Sequence, residues 1–491
     1  MFTNQRYGRS SRLELLVVLA CIGVGIATGF FAGANPFYVG LALGAVSIVC
    51  YFFARFEQAV IGLLILRSSL DIFTTGVVPY SLSPIPGVFA LGLDVLVLLY
   101  VTVRLLTGQS VRTDRFWWCF AGWVMLQGVW VILLAFGGLG LTASFLPASI
   151  REWLRLFSLL MVYLVVMQLQ DRLHPEKVVS VLFLSLILPI TIALLQIFLP
   201  SALPFLIANG GDGGTIVSDS RIGGTFAHAN NFAIYLLLFI SLTWWKLGYS
   251  RRSWLWVLLL GLLVFLLSTT KTVIALVMLF VFVIVIVAPK LTATKLIGGV
   301  LLFTAVIGLF VSTEFGQQRL AAIANTPLLN PDIDLSRAIL LSNTDYNSFN
   351  WRLAQWTYLI QAWQRFPIFG YGLGLSTYVS TNSLLPHNDY IRALVEQGVV
   401  GLGTLVVFLT AQVVRLVHLL WRTPNNSVQH QLCLIVLAIL LTTPVGMLSE
   451  NIAICTAFYF YYWTAFAVCG WDWNDTQTED NSMPVSNLLR R

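Results

Sequence analysis

The chain is 491 residues long, 58% hydrophobic and only 10% charged, with a mean hydropathy of +0.84 and a formal net charge of +7. Soluble domains carry about 45–50% apolar and about 25% charged residues. The composition therefore excludes a soluble globular protein, a disordered chain and a nucleic-acid-binding module, and it fits an all-α protein that crosses a membrane many times.

At about 20 apolar residues per helical span, apolar runs fall near 13–34, 37–54, 58–78, 87–107, 116–137, 153–170 and 178–200. Further runs lie near 229–247, 253–269, 271–288, 296–313, 398–418, 431–448 and 450–469, which predicts 12–14 spans. Leu13–Ala34 follows the basic stretch Arg6–Arg12, exceeds a signal-peptide core in length and lacks a small-residue cleavage site, so it reads as a retained first span. The run Ser253–Ala288 is too long for one upright span. Ser268, Thr269, Thr270, Lys271 and Thr272 in its middle predict a tight turn. The expected organisation is a helical bundle over 1–312, a large outer loop over 313–398, the rest of the bundle over 399–470 and a disordered tail over 471–491. The six cysteines all lie inside apolar runs with no Cys-x-x-Cys pair, which argues against a disulfide framework or a thiolate metal site.

With the N-terminus inside, eighteen of the 28 basic residues fall at the termini or in inner connections, so the positive-inside rule places both termini in the cytoplasm. The other ten are Arg67, Arg151, Arg155, Arg221, Lys271, Arg319, Arg337, Arg352, Arg365 and Arg392, which sit on or face the outer side. In the outer loop, Trp356 and Trp363 are seven apart with Leu359 and Ile360 between them, the spacing of an amphipathic helix lying along the interface. Pro367, Gly370, Gly372 and Gly374 end it. A second helix is expected from about Pro386 to Gln397, with Gly398 as its stop.

A cation at a membrane interface is costly unless it meets an anion, so the outer cations are functional candidates. Arg151 and Arg155 share one helical face; Arg151 reads either as a ligand or as a partner of Glu152 or of headgroups. Arg221 opens Arg221-Ile-Gly-Gly-Thr225, whose glycines let backbone amides approach an oxyanion at the start of a helix. Lys271 reads equally as a ligand or as a snorkelling lysine. Arg352 begins the loop helix. Together they suit a polyanion at the outer leaflet, such as a lipid pyrophosphate. Arg67 and Asp71, four apart, read as a structural pair, and Asp94 has no visible partner in the sequence. Of the five histidines, His387 stands at the first turn of a helix re-entering the membrane, where a neutral imidazole can take a proton. His228 reads as polar packing as readily as catalysis. Asp332-x-Asp334 is a weak pattern, and no metal or cofactor is expected.

Three blocks carry a resemblance. They are Arg221-x-x-Gly-Thr-Phe-x-x-x-Asn230-x-x-Ala233, then Arg352-x-x-x-Trp356 with Pro367-x-x-Gly370-x-Gly372-x-Gly374, then His387-Asn388-x-x-x-x-x-Leu394-x-x-x-Gly398-x-x-Gly401. In this order, around a large outer loop, they resemble the bacterial O-antigen ligases and the related Wzy-type O-antigen polymerases. The resemblance implies a GT-C-like membrane glycosyltransferase of the bacterial inner membrane, metal-independent and inverting, with its active site on the periplasmic side. The implied donor is an undecaprenyl-pyrophosphate-linked glycan, and the acceptor is lipid A–core or, for a polymerase, another lipid-linked glycan. By position, Arg221 and Arg352 would bind pyrophosphate and His387 would assist the acceptor hydroxyl. Lys271 stands where the family often has arginine, keeping the charge without the bidentate fork. Asn230, Asn388, Arg392 and Glu396 are expected to support the site, with Glu396 and Asp389 as fallback bases. Transfer to protein is a further reading within the group. A transporter or flippase is the reading from another class, although the sequence shows no two related halves.

Overall fold

The computed structural model of the protein describes residues 36–74, 85–199, 221–226, 228–250, 252–287, 324–330, 332–344, 348–380, 383–425 and 427–473, with isolated positions at 23 and 25 and between 297 and 321. The expected span 13–34, most of 296–313, Arg251, Lys290, Lys295, Arg319, the terminal arginines and the tail beyond 473 lie outside the described residues.

Among the described residues the fold is all helical, with no strand. The helices are α1 (Pro36–Ala54), α2 (Phe56–Leu66), α3 (Ile85–Leu106), α4 (Arg115–Ala135), α5 (Leu146–Met167), α6 (Pro175–Leu182) and α7 (Ile187–Phe198). They continue with α8 (Ala229–Leu247), α9 (Ser253–Thr269), α10 (Val273–Val287), α11 (Leu335–Thr344), α12 (Ser348–Trp363) and α13 (Ser376–Val379). The last are α14 (Asp389–Arg422), α15 (Val428–Gly446) and α16 (Thr456–Cys469). Five stretches among the described residues are long and apolar enough to cross a membrane: α3, α4, Pro175–Phe198, α14 and α15. A sixth is available if Leu43–Ala54 and Phe56–Phe73, bent by 118°, make one broken span. Most helices begin and end close to the expected apolar runs, as a polytopic membrane protein requires, but α5 and α14 begin well before the runs at 153 and 398, and α16 begins after the start of the run at 450.

The chain forms two compact units, one of 1–118, 157–228 and 459–491, the other of 119–156 and 229–458. Inside the first, Arg67 Nη1 meets Asp71 at 2.6 Å, the expected i,i+4 pair. Asp94, without a visible partner in the sequence, accepts from Ser158 Oγ at 2.6 Å. Phe116 and Phe466 pack with Tyr163 and Trp463 as an aromatic cluster.

Inside the second unit, α8 is buried on nearly every face from Phe232 to Leu242, so it is a core helix. By contrast α9 and α10 turn Val257, Leu258, Val283 and Ile284 outward, the inverse of a water-facing surface. Between them the predicted turn is present: α9 stops at Thr269, Lys271 takes a left-handed φ of 50° and α10 starts at Val273. Gly398 is more than the expected helix stop. With φ 66° and ψ −165° it breaks α14, which then resumes and runs on to Arg422. The break releases backbone groups that pair with the glycine-rich segment: Tyr371 N donates to Val395 O (2.9 Å), Gly372 N to Glu396 O (2.8 Å) and Val399 N to Pro367 O (2.9 Å). A Cβ at 398 would lie 2.1 Å from Ile368 O, so both conformation and space require glycine.

Candidate functional site

The site grows from the N-terminal end of α14. Asn388 caps the helix, its Oδ1 accepting from Tyr390 N and Ile391 N at 3.0 Å. Its Nδ2 donates to Leu448 O at 2.8 Å, and Asp389 N donates to Met447 O at 2.9 Å. One short turn, 447–450, is thereby fastened to the segment that precedes α14. His387, just before the cap, has φ 49°. A left-handed non-glycine residue is strained by about 1–3 kcal/mol and persists where its surroundings over-determine it.

That turn carries Glu450. The apolar run 450–469 becomes helical only at Thr456, apart from a 3-10 turn at 452–454, so Glu450 belongs to the connection rather than to a span. His387 Nδ1 lies 3.1 Å from Glu450 Oε2. Arg352 Nη2 lies 3.2 Å from Glu450 Oε1 and 3.4 Å from His387 Nδ1, while Arg352 Nη1 donates to Ser449 O at 3.3 Å. Asn230 Nδ2 donates to Glu450 Oε1 at 2.6 Å, and Asn230 Oδ1 accepts from Thr272 Oγ1 at 3.1 Å. Residues 230, 272, 352 and 387, distant in sequence, therefore meet on or behind one carboxylate.

His387 Nδ1 faces an acceptor, Glu450 Oε2 at 3.1 Å, and a donor, Arg352 Nη2 at 3.4 Å. A carboxylate only accepts, so the closer contact is satisfied when a neutral His387 carries its proton on Nδ1, which puts the lone pair on Nε2. Burial alone would push the Glu450 carboxyl up, but its hydrogen bonds with His387 and Asn230 and the charge of Arg352 outweigh it and hold the group below the ordinary carboxylate range. The carboxylate thus lies directly against Nδ1 and sets the orientation of the ring. Trp351 sets its ring edge to face against the imidazole, centroids 5.4 Å apart, beside Arg352.

Helix α12 delivers Arg352. One face of it is buried through Asn350, Ala354, Gln355 and Leu359, while Phe349 and Ile360 are exposed, so its buried face mixes polar and apolar side chains rather than sorting them as the amphipathic spacing predicts. Its two spaced tryptophans are struts: the Trp356 indole donates to Pro386 O, next to His387, and the Trp363 indole donates to Pro367 O at 3.1 Å.

A second ionic cluster lies on the same stretch of α14. Arg392 Nε meets Glu396 Oε1 at 3.0 Å and Arg392 Nη2 meets Glu152 Oε1 at 2.7 Å. Arg155 Nη2 and Nε reach the two oxygens of Glu152 at 2.5 and 3.1 Å, and Arg155 Nη1 donates to Ala453 O at 2.6 Å. Glu396 accepts from Gly374 N, Ser376 N and Ser376 Oγ at 2.8, 3.2 and 2.6 Å. With these bonds and that from Arg392, the carboxylate anchors the glycine-rich segment.

The remaining candidates stand as follows. Arg151 is exposed on α5, while Arg155 is turned onto Glu152, so the predicted pairing with Glu152 belongs to Arg155. Lys271 is half-buried in the α9–α10 turn beside Thr272. Arg221 belongs to the first unit, where the glycine stretch after it is engaged internally: Gly224 N donates to Gln196 Oε1 at 2.9 Å, Gln196 Nε2 to Gly224 O at 3.2 Å, and Thr225 Oγ1 to Ser68 O at 3.0 Å. His228 is exposed. Glu450 is the residue that sequence reasoning missed; its one signal is the polar Ser449-Glu450-Asn451 set between two apolar runs.

Residues 255–406 match the family described as O-antigen ligase. The matched stretch contains Lys271, Arg352, His387, Asn388, Arg392 and Glu396, so the resemblance is borne out over the second and third sequence blocks, and it supports a function of the O-antigen ligase or polymerase type. Arg221, Asn230 and Glu450 fall outside it. No curated protein matches the chain.

Proposed function

We propose that the protein is a membrane glycosyltransferase that moves a glycan from undecaprenyl pyrophosphate to an acceptor hydroxyl at the periplasmic face, the reaction of an O-antigen ligase with lipid A–core as acceptor. The observation that carries this reading is the convergence of His387, Arg352 and Asn230 on Glu450. His387 Nε2 takes the proton of the acceptor hydroxyl as its oxygen attacks the anomeric carbon. The bond from that carbon to the pyrophosphate oxygen breaks, and attack from the opposite face inverts the centre. Glu450 holds the ring and stabilises the imidazolium. Cations stabilise the charge developing on the departing pyrophosphate without a metal. Arg352 stands beside His387, with Lys271 and Arg151 as further donor contacts. Arg352 is already paired with Glu450, so incoming phosphate competes for a guanidinium whose position is fixed in advance.

The test is product analysis with purified protein, a defined lipid-linked glycan and candidate acceptors. Conjugation to lipid A–core supports the ligase. Products lengthened on undecaprenyl pyrophosphate make it a polymerase. Lipid crossing the bilayer with no conjugate makes it a transporter.

A further inference from the structure

Behind the His387–Glu450 pair runs a chain of four largely buried charges, Arg155–Glu152–Arg392–Glu396, with contacts of 2.5, 2.7 and 3.0 Å. Neither end touches the pair. At one end Arg155 Nη1 donates to Ala453 O, and the N–H of the same residue donates to Asp389 Oδ2 at 2.8 Å. Ala453 lies three residues past Glu450, and Asp389 lies two past His387. The chain thus grips, through a single residue, Ala453, both backbone segments that bear the pair. At the other end, Glu396 fixes the segment Gly374–Ser376, and a Cβ on Gly374 would lie 2.7 Å from Glu152 Cβ.

Stability alone does not call for such an arrangement. Taking charges out of water is costly, and well-packed apolar side chains of similar volume commonly serve a core as well or better. What ions and guanidinium forks give that apolar packing does not is direction: each bond fixes an angle as well as a distance. His387, held at a left-handed φ, needs neighbours that allow it one position. The alternative role for these arginines is direct contact with the donor's pyrophosphate. Against it, Arg155 has all three of its guanidinium nitrogens engaged within the protein, and Arg392 is 5% exposed.

We infer that Glu152 is a positioning residue, which through Arg155 and Arg392 fixes the two turns that hold His387 and Glu450 in register for proton transfer. The inference rests on the function proposed above and adds a determinant outside the 255–406 family match.

The experiment compares wild type, Glu152→Gln, the paired apolar variant Glu152→Leu/Arg155→Met and His387→Ala in transfer from a synthetic undecaprenyl-pyrophosphate-linked glycan, measuring kcat and donor KM separately. The expected result is kcat at least about tenfold lower in both Glu152 variants, with donor KM within about threefold of wild type and wild-type elution on size exclusion. If Glu152→Gln does not fold, the paired variant, in which Arg392 keeps Glu396, decides. A paired variant that folds with wild-type kcat, or one that fails to fold at all, makes the chain a stability element and overturns the inference. A raised donor KM at unchanged kcat makes these residues ligand contacts and also overturns it. His387→Ala separates the two levels: if it transfers as fast as wild type, the proposed function falls; if it is inactive while the paired variant is not, only this inference falls.

Discussion

Two ionic clusters share ten residues of chain, from His387 to Glu396, and use the same residue types to opposite ends. Around Glu152 and Arg392 the strong donors and acceptors are matched with one another and with backbone, as a buried network must be if it is to hold a shape. Around Glu450 both carboxylate oxygens are used, but the imidazole they orient has no partner for Nε2 among the described residues, and Arg352 Nε is buried without one. One cluster places things; the one beside it leaves an imidazole nitrogen where a proton can move.

Substitutions break this comparison in graded ways. The largest effect is expected from His387→Ala, which removes the only imidazole at the pair. Transfer should fall by about 10²–10⁴-fold, the range for a general base, with normal insertion by membrane fractionation. Next is Glu450→Gln, which keeps the shape but replaces the acceptor charge that fixes the tautomer; a loss of about 10²-fold or more in kcat is expected, with donor KM little changed. The same variant sharpens the electrostatics. Because Glu450 is held below the ordinary carboxylate range, its stabilising contribution is complete above about pH 4.5, its unperturbed value, and is lost as pH falls through its lowered value. The difference in melting temperature between wild type and Glu450→Gln should be flat from pH 8 to about pH 5 and shrink below that.

A third substitution acts on the backbone that carries both clusters. Gly398→Ala forces a Cβ onto Ile368 O at a left-handed φ, and it should cost about 2–3 kcal/mol or more, read as a lower melting temperature in detergent. Asn388→Ala removes the cap of α14 and should cost about 1 kcal/mol. The smallest effect is expected at Arg337, an exposed cation of α11, where alanine should leave the rate within about twofold.

The sequence made the spans legible because hydrocarbon thickness imposes a length and an apolar content that composition reveals directly. It also exposed the Ser268–Thr272 turn and the break at Gly398, where polar residues or glycine interrupt an apolar run. His387 and Arg352 could be picked out as ionisable groups near a membrane face, and the structure sets them 3.4 Å apart. Glu450 was hidden for a physical reason. It sits 63 residues beyond His387 between two apolar runs, and no periodicity links a turn to the helix cap it packs against. Arg155 was misleading in a similar way. Its nearest carboxylate, Glu152, is three residues back, a helical spacing that favours pairing over ligand contact, and its bond to Ala453 O needed the tertiary fold. Asp94 and Ser158 likewise meet between helices whose pairing the sequence does not reveal.

The central claim is that the Nε2 atom of a Glu450-oriented His387 takes the acceptor proton. Its most direct test is the kcat of purified wild type, Glu450→Gln and His387→Ala, using a saturating lipid-linked donor. The account predicts kcat lower by about 10²-fold in Glu450→Gln and by about 10²–10⁴-fold in His387→Ala, with wild-type elution of all three proteins on size exclusion. Wild-type kcat in either variant would contradict it.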